Sequence, residues 1–330
     1  MRKITFCEAT LEAMREEMKR DNRVFVMGED IARQGGIFGQ FAGLAEEFGT
    51  ERVRDTPISE TSIVGGGVGA ALAGMRPVVD MHFADFLGVA MDEVFNQMAK
   101  ARYMSGGQAR VPVVVRVPDG ITSSMAAQHS QCVESWFMHI PGIKVVIPSN
   151  PADAKGLLKA AIRSDDPVIY FEHKMLFGQT GEVPDGDYIT PIGKANVVRE
   201  GNDLTIVSYS YYMTKVLKAA EVLAKKGIHA ECIDLRTISP LDMETVYTSV
   251  RKTGKLLIVH EAVKQGGVGA EIAARVAEDE FQSLEAPIVR LGAPFVPVPF
   301  SPVLERLVKI EVDDIVSAAV NLAGQQAHGT

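Results

Sequence analysis

The sequence predicts an α/β protein with a parallel-sheet domain over residues 1–180, a linker over 181–200 and a smaller α/β domain over 201–330. Three observations carry that prediction. Continuous apolar runs such as VPVVVRVP (Val111–Pro118) suit strands covered on both faces, as in parallel sheets. Such runs alternate about five times with helical stretches in the first half, which is the pattern of βαβ units. The segment GQTGEVPDGDYITPIGKA then lacks any period and is rich in glycine and proline, so it reads as a connection between two folded regions.

Composition narrows the class. A chain of 330 residues, 46% hydrophobic, can bury two cores. Its net charge of -8 argues against nucleic acid and anionic membranes as main partners. Cys7, Cys132 and Cys232 are far apart and show no CxxC spacing, so they read as buried thiols in a reducing compartment. The amphipathic start carries Glu8, Glu12, Glu16 and Glu17, unlike a secretory or mitochondrial leader. No apolar run approaches the length of a membrane span. The expected setting is the cytoplasm.

Residues 5–20 form the first expected helix. VFVMGED then reads as a buried strand that delivers Glu29 and Asp30 to its carboxyl end, where open parallel sheets place ligands. Two acids there either line a cleft or cap the next turn. The stretch GGIFGQFAGLAEEFG reads as a glycine-rich loop and a helix.

Arg54 to Phe86 is the stretch around which the rest is organised. Glu60 follows Pro57 and Ile58 and stands just before an expected helix over about 61–73. Gly65, Gly66, Gly67 and Gly69 would let another backbone approach that helix, and Gly74 would stop it. Arg76–Asp80 reads as a strand, with Phe83 and Phe86 in the loop past its carboxyl end. A carboxylate at a helix start and aromatics past a strand end can face one cleft. Gly65-x-Gly67-x-x-Ala70 also fits a loose dinucleotide pattern, with Asp80 as its acid. That reading fails, because DTPISETSIV is no hydrophobic strand and the acid arrives too early.

Residues 88–104 read as a helix with Val89, Val94 and Met98 on its apolar side. After the Val111–Pro118 strand comes the loop DGITSSMAAQHSQ, which places His129 past another strand's carboxyl end. Histidine exchanges protons near neutral pH, so His129 is a candidate for proton transfer. CVESWFMHI reads as a helix and IKVVIP as a strand. Asn150 caps a helix that opens on Pro151, and PVIYFEH is the last strand of the first domain. In the second domain LTIVSYS, HAECIDL, KLLIVHE and PIVRLG read as strands, with helices near 213–226, 241–252 and 269–282. His260-Glu261 at a strand end reads as structural. The chain closes on a helical stretch.

RDTPISE, RYMSGG, AAQHSQ, IPGIKVVIPSNPADAKGLLKAAIRSDDPV and CIDLRTISPLD, in this order, resemble the beta subunit of the thiamine-diphosphate-dependent component of 2-oxo acid and acetoin dehydrogenase complexes. The resemblance implies a transketolase-like pyrimidine-binding domain followed by a transketolase C-terminal-like domain. It implies that Glu60 hydrogen-bonds the ring nitrogen of the cofactor's aminopyrimidine and shares a proton with it. Phe86 would pack on that ring, Ile58 and His82 would border it, and Glu29 would stand near the cofactor. The family commonly has Met where His82 stands. His129 would face the substrate and assist acyl transfer to lipoamide. The chain has no GDG motif, so the Mg²⁺ that holds the diphosphate is expected on a separate alpha subunit, and no metal ligands are assigned here. The implied assembly is an alpha2-beta2 heterotetramer that serves a lipoyl-bearing acyltransferase, with acetoin slightly favoured over pyruvate or a branched 2-oxo acid. The rival readings are a self-sufficient transketolase or deoxyxylulose-phosphate synthase relative and a non-catalytic scaffold subunit.

Overall fold

A computed structural model describes residues 1–324. The chain forms two compact units. One is Met1–Gly120 with Trp136–Ile192, and the other is Ile121–Ser135 with Gly193 onward.

The first unit opens with β1 (Arg2–Thr5) and α1 (Phe6–Arg20). Thr5 and Glu8 form a reciprocal capping box that fixes the start of α1. Then come β2 (Val24–Gly28), α2 (Leu44–Phe48), β3 (Val53–Asp55), α3 (Glu60–Leu72) and β4 (Arg76–Asp80). A 3₁₀ turn (Ala84–Gly88) leads to a helix whose Glu93–Met98 segment is π-helical before α4 (Ala99–Met104). The unit continues through β5 (Val114–Asp119), the part of α5 (Glu134–Met138) from Trp136 onward, β6 (Lys144–Val146), α6 (Pro151–Arg163), β7 (Val168–His173) and β8 (Thr180–Val183).

Its strands lie in the order β6-β7-β5-β4-β2-β3, and every one of these pairings is parallel. Every residue of β5 and β7 is buried, which matches their unbroken apolar reading. α1 packs on α6. There the acids of the first helix meet cations: Lys155 and Glu16 at 2.5 Å, and Arg163 and Glu17 at 2.6 Å.

Four details differ from the sequence reading. The helix after Phe86 starts later than expected: Val89 stands exposed in the turn ahead of it, and Val94 and Met98 are buried on its π-helical segment. The approach to the α3 glycines is by side chains: an added Cβ on Gly67 would lie 2.7 Å from Val79, and one on Gly65 would lie 3.0 Å from the Glu93 carboxyl. Much of the expected linker is folded. β8 pairs antiparallel with β1, Tyr188 donates to the Ala152 carbonyl at 2.9 Å, and Asp187 pairs with Arg163 at 2.8 Å. Of the three thiols only Cys232 is fully buried, and Cys7 and Cys132 are partly so.

The second unit comprises β9 (Asn196–Arg199), β10 (Leu204–Ser208), α7 (Tyr212–Ala224), β11 (Ala230–Asp234), β12 (Thr237–Ser239), α8 (Met243–Thr253), β13 (Leu256–Val263), α9 (Val268–Asp279), β14 (Val289–Ala293), α10 (Pro302–Glu305) and α11 (Val312–Ala323). Its sheet runs β14-β13-β10-β11-β9, with only β9 antiparallel. The four strands read from sequence are β10, β11, β13 and β14. The edge strand β9 was hidden in the end of the expected linker. Leu204, Ile206, Val216, Leu223, Leu257 and Ile315 are among the fully buried residues of its core. Among the described residues no helix is long and apolar enough to cross a membrane.

Candidate functional site

In the first unit the carboxyl ends of β2 and β4, adjacent parallel strands, present residues toward the start of α3. Gly28 ends β2, and a Cβ there would lie 2.8 Å from the Asp80 Cβ, so the strands can come together only at a glycine. Glu29 follows at once. The Thr56 N–H donates to the Gly28 carbonyl at 2.9 Å and ties the segment before α3 to the same strand end. Glu60 is the first residue of α3, half-buried, at the positive end of the helix dipole. Its neighbour Thr61 donates through its hydroxyl to the Val89 carbonyl at 3.0 Å, which ties the helix start to the turn carrying Phe86.

These ties bring the predicted residues together. Burial and the nearby Glu60 and Asp30 charges raise the Glu29 carboxyl above its ordinary range, while His82 draws it down. His82 Nδ1 stands 3.6 Å from Glu29 Oε2, too far for a hydrogen bond, and that buried nitrogen has no hydrogen-bond partner. The His82 ring meets Phe83 at 6.4 Å, and Phe83 meets Phe86 edge-on at 6.1 Å. Phe83 is buried and Phe86 only partly so, so Phe86 is the ring that keeps an open face. Ile58, two residues before Glu60, is 80% exposed.

The residue set fits an aminopyrimidine. It offers a carboxylate on a rigid helix start, an aromatic face and an orphaned imidazole nitrogen beside a carboxyl that is reluctant to ionise. That is one flat ring's worth of hydrogen-bonding and stacking groups. It does not resemble a hard-cation site.

His129 belongs to the other compact unit, in the segment Ile121–Ser135, and is partly buried there. Asp80, the acid of the discarded dinucleotide pattern, is fully buried and faces Gln40 and Arg116. Gly65 and Gly67 lie within α3 and not in a strand-to-helix turn, so no phosphate loop exists at that place.

Sequence reasoning missed three neighbours. Phe38 meets Phe83 edge-on at 6.2 Å, and Lys174 sits 5.1 Å over the Phe83 ring. Beneath them, Arg116 is fully buried and holds Glu172 through two hydrogen bonds of 2.8 and 2.7 Å. The one signal in the sequence was an arginine in the middle of VPVVVRVP, where a buried strand has no use for an unpaired charge.

Comparison with known proteins agrees with this architecture. Residues 2–179 match the family model "Transketolase, pyrimidine binding domain", and residues 193–315 match "Transketolase, C-terminal domain". The chain is 48% identical to the 2-oxoisovalerate dehydrogenase subunit beta of Bacillus subtilis, covering 97% of this chain and 98% of that one. It is 48% identical to the acetoin:2,6-dichlorophenolindophenol oxidoreductase subunit beta of Cupriavidus necator, covering 96% and 97%. It is 49% identical to the pyruvate dehydrogenase E1 component subunit beta of Rhizobium meliloti, covering 96% and 69%. A solved structure described as a split gene transketolase, inactive beta4 tetramer, superposes with a TM-score of 0.81 at 23% identity, covering 98% of this chain and 99% of that one, which bears on the fold alone. The resemblance read from the five motifs is thus borne out, and the chain belongs to the family of beta subunits of the 2-oxo acid and acetoin dehydrogenases.

Proposed function

We propose that this chain supplies the aminopyrimidine half of a thiamine diphosphate site in an acetoin or 2-oxo acid dehydrogenase. The observation that carries the reading is the meeting of Glu29, Glu60, His82 and Phe86 at the carboxyl ends of β2 and β4. The bound cofactor supplies a nucleophilic thiazolium carbon able to cleave a carbon–carbon bond next to a carbonyl. Glu60 holds a proton at the ring nitrogen of the pyrimidine and returns it, as a carboxyl that both accepts and donates can do. Phe86 orients the ring by stacking and Ile58 covers its edge. Glu29, held toward its neutral form, stands near the cofactor, and His82 borders the ring. His129 serves the acyl acceptor, a lipoyl arm of the acyltransferase component.

The diphosphate and its Mg²⁺ belong to an alpha subunit in an alpha2-beta2 assembly, because the sequence offers no GDG motif. The wide spacing of Cys7, Cys132 and Cys232, with no CxxC pair, supports a reducing, cytoplasmic setting. The substrate is a small 2-oxo acid or acetoin. The three relatives named above carry three different substrates at nearly equal identity, so overall similarity favours none of them. Calorimetry tests the division of labour. The isolated chain should bind thiamine diphosphate weakly and show no turnover, and an alpha chain should restore tight, Mg²⁺-dependent binding and activity together. Micromolar Mg²⁺-dependent binding by this chain alone would refute the reading.

A further inference from the structure

The segment that carries His129 leaves the first sheet at Gly120 and is built into the second unit from Ile121 to Ser135. Its conformation is not relaxed. Ser124 and Ala126 stand at φ +55 and +59, a region that residues with a Cβ rarely adopt. Surroundings must impose such a backbone. The second unit supplies them at three points. The Ile121 N–H donates to Glu261 Oε1 at 2.5 Å. The Ser124 N–H donates to Glu305 Oε2 at 2.8 Å, and Glu305 is paired with Lys309, whose Nζ also donates to the Thr122 carbonyl at 2.9 Å. At the far end the Tyr209 hydroxyl donates to Glu134 Oε1 at 2.6 Å. Glu134, Glu261, Glu305 and Tyr209 are all under 9% exposed. Carboxylates accepting backbone N–H groups out of water make strong, directional bonds. The bonds at Ile121, Thr122 and Ser124 precede His129, and the bond at Glu134 follows it.

We propose that Glu261, Glu305 with Lys309, and the Tyr209–Glu134 pair are positioning residues that fix the loop in the conformation that presents His129 to the acyl acceptor. The second unit, which contributes none of Glu29, Glu60, His82 or Phe86, thereby acts on the second half of the reaction. This rests on the role proposed above for His129, whereas the clamp itself is a property of the chain alone.

The test uses both levels. In hydrogen exchange on the full chain, Glu305→Ala should speed exchange of the Ser124 amide about tenfold or more, the loss expected of one bond to a charged acceptor. Glu305→Gln keeps an acceptor and should restore most of the protection. In the assembled enzyme, Glu305→Ala and Tyr209→Phe should lower turnover with lipoamide several-fold more than turnover with dichlorophenolindophenol, with KM for the oxo substrate unchanged. Tyr209→Phe removes one hydroxyl and keeps the ring, so it is the variant that folds. Unchanged Ser124 exchange in Glu305→Ala, or equal losses with both acceptors in the two variants, would overturn the proposal. His129→Ala is measured beside them. Equal loss with both acceptors in that variant alone would overturn the role of His129 and leave the clamp to be judged by exchange.

Discussion

The substitution Glu172→Gln probes the buried charges beneath the site. Arg116 has no exposed surface, lies 4.7 Å over the Phe41 ring, and gives two hydrogen bonds to Glu172. Its Nη1 has no hydrogen-bond partner. The glutamine keeps one acceptor and replaces the other with a donor that opposes the guanidinium. Removing one partner of such a buried pair costs about 3–5 kcal/mol. Asp80 offsets part of this. It is buried, its carboxyl is pushed up to about 7, chiefly by burial, and Arg116 draws it down while Glu172 raises it. Without Glu172, Asp80 ionises more readily and becomes the counter-ion. The net loss should therefore lie at the low end, about 3 kcal/mol, or roughly 6–12 °C in the unfolding midpoint of a domain this size. The loss should also depend on pH. In the native protein Asp80 binds a proton that the unfolded chain gives up near pH 4, so its contribution to stability falls between about pH 4 and 7. That fall is smaller in the variant, so its deficit should shrink as pH rises from about 5.5 to 8. Calorimetry at both pH values measures it. A double change, Arg116→Met with Glu172→Leu, removes both charges and should cost less than the single one. An unaltered midpoint in Glu172→Gln, or a deficit that grows with pH, would refute the account.

Further outcomes follow from the same geometry. Glu60→Gln in the assembled enzyme should lower turnover about 100- to 10,000-fold, ~3–5 kcal/mol of barrier, with no loss in the unfolding midpoint; turnover within tenfold of the parent would remove Glu60 from proton transfer. Glu29 has a carboxyl raised by burial and by Glu60, so its ionisation opposes folding above its native pKa, and the cost vanishes below the unfolded value. Glu29→Gln should therefore stabilise the chain at neutral pH, with the gain lost toward about pH 4, as thermal unfolding at several pH values will report. Gly120 has φ +87, and a Cβ there would lie 2.0 Å from His173 Nε2. Gly120→Ala should cost about 2–5 kcal/mol by denaturant unfolding, from backbone strain and overlap together.

Much of the fold was legible because its signals are local. Val114–Asp119 and Val168–His173 are apolar runs with no alternation, and only a doubly covered strand needs that. Asn150 and Pro151 start α6 by chemistry that acts within one turn. What escaped was nonlocal. β8 is short and polar and exists because β1, some 180 residues earlier in sequence, lies beside it, with Thr180 opposite Thr5. The π-helical turn at Glu93–Met98 inserts a residue into the ladder without any proline or glycine to announce it.

The candidate site divides along the same line. Glu60 opens a helix and Phe86 follows a strand end, so topology pointed them to one edge of the sheet; Glu29 was left between lining a cleft and capping a turn, and His82 came only with the family resemblance. Arg116, Glu172 and Asp80 were not legible as a group, because each lies inside a strand or at its last residue and the pairs form across strands. Yet they bear on the edge. Asp80 ends the strand that leads to His82, and the charge on Glu29 is one of the causes that raise Asp80. A proton gained or lost at Glu29 therefore changes the field on a buried carboxyl whose own pKa is about 7. Glu29 at the edge is thus linked electrostatically to Asp80 in the buried cluster. The pH dependence measured at Glu29 should accordingly shift when Glu172 is replaced, even though Glu172 stands inside the sheet, because Glu172 and Glu29 both act on Asp80.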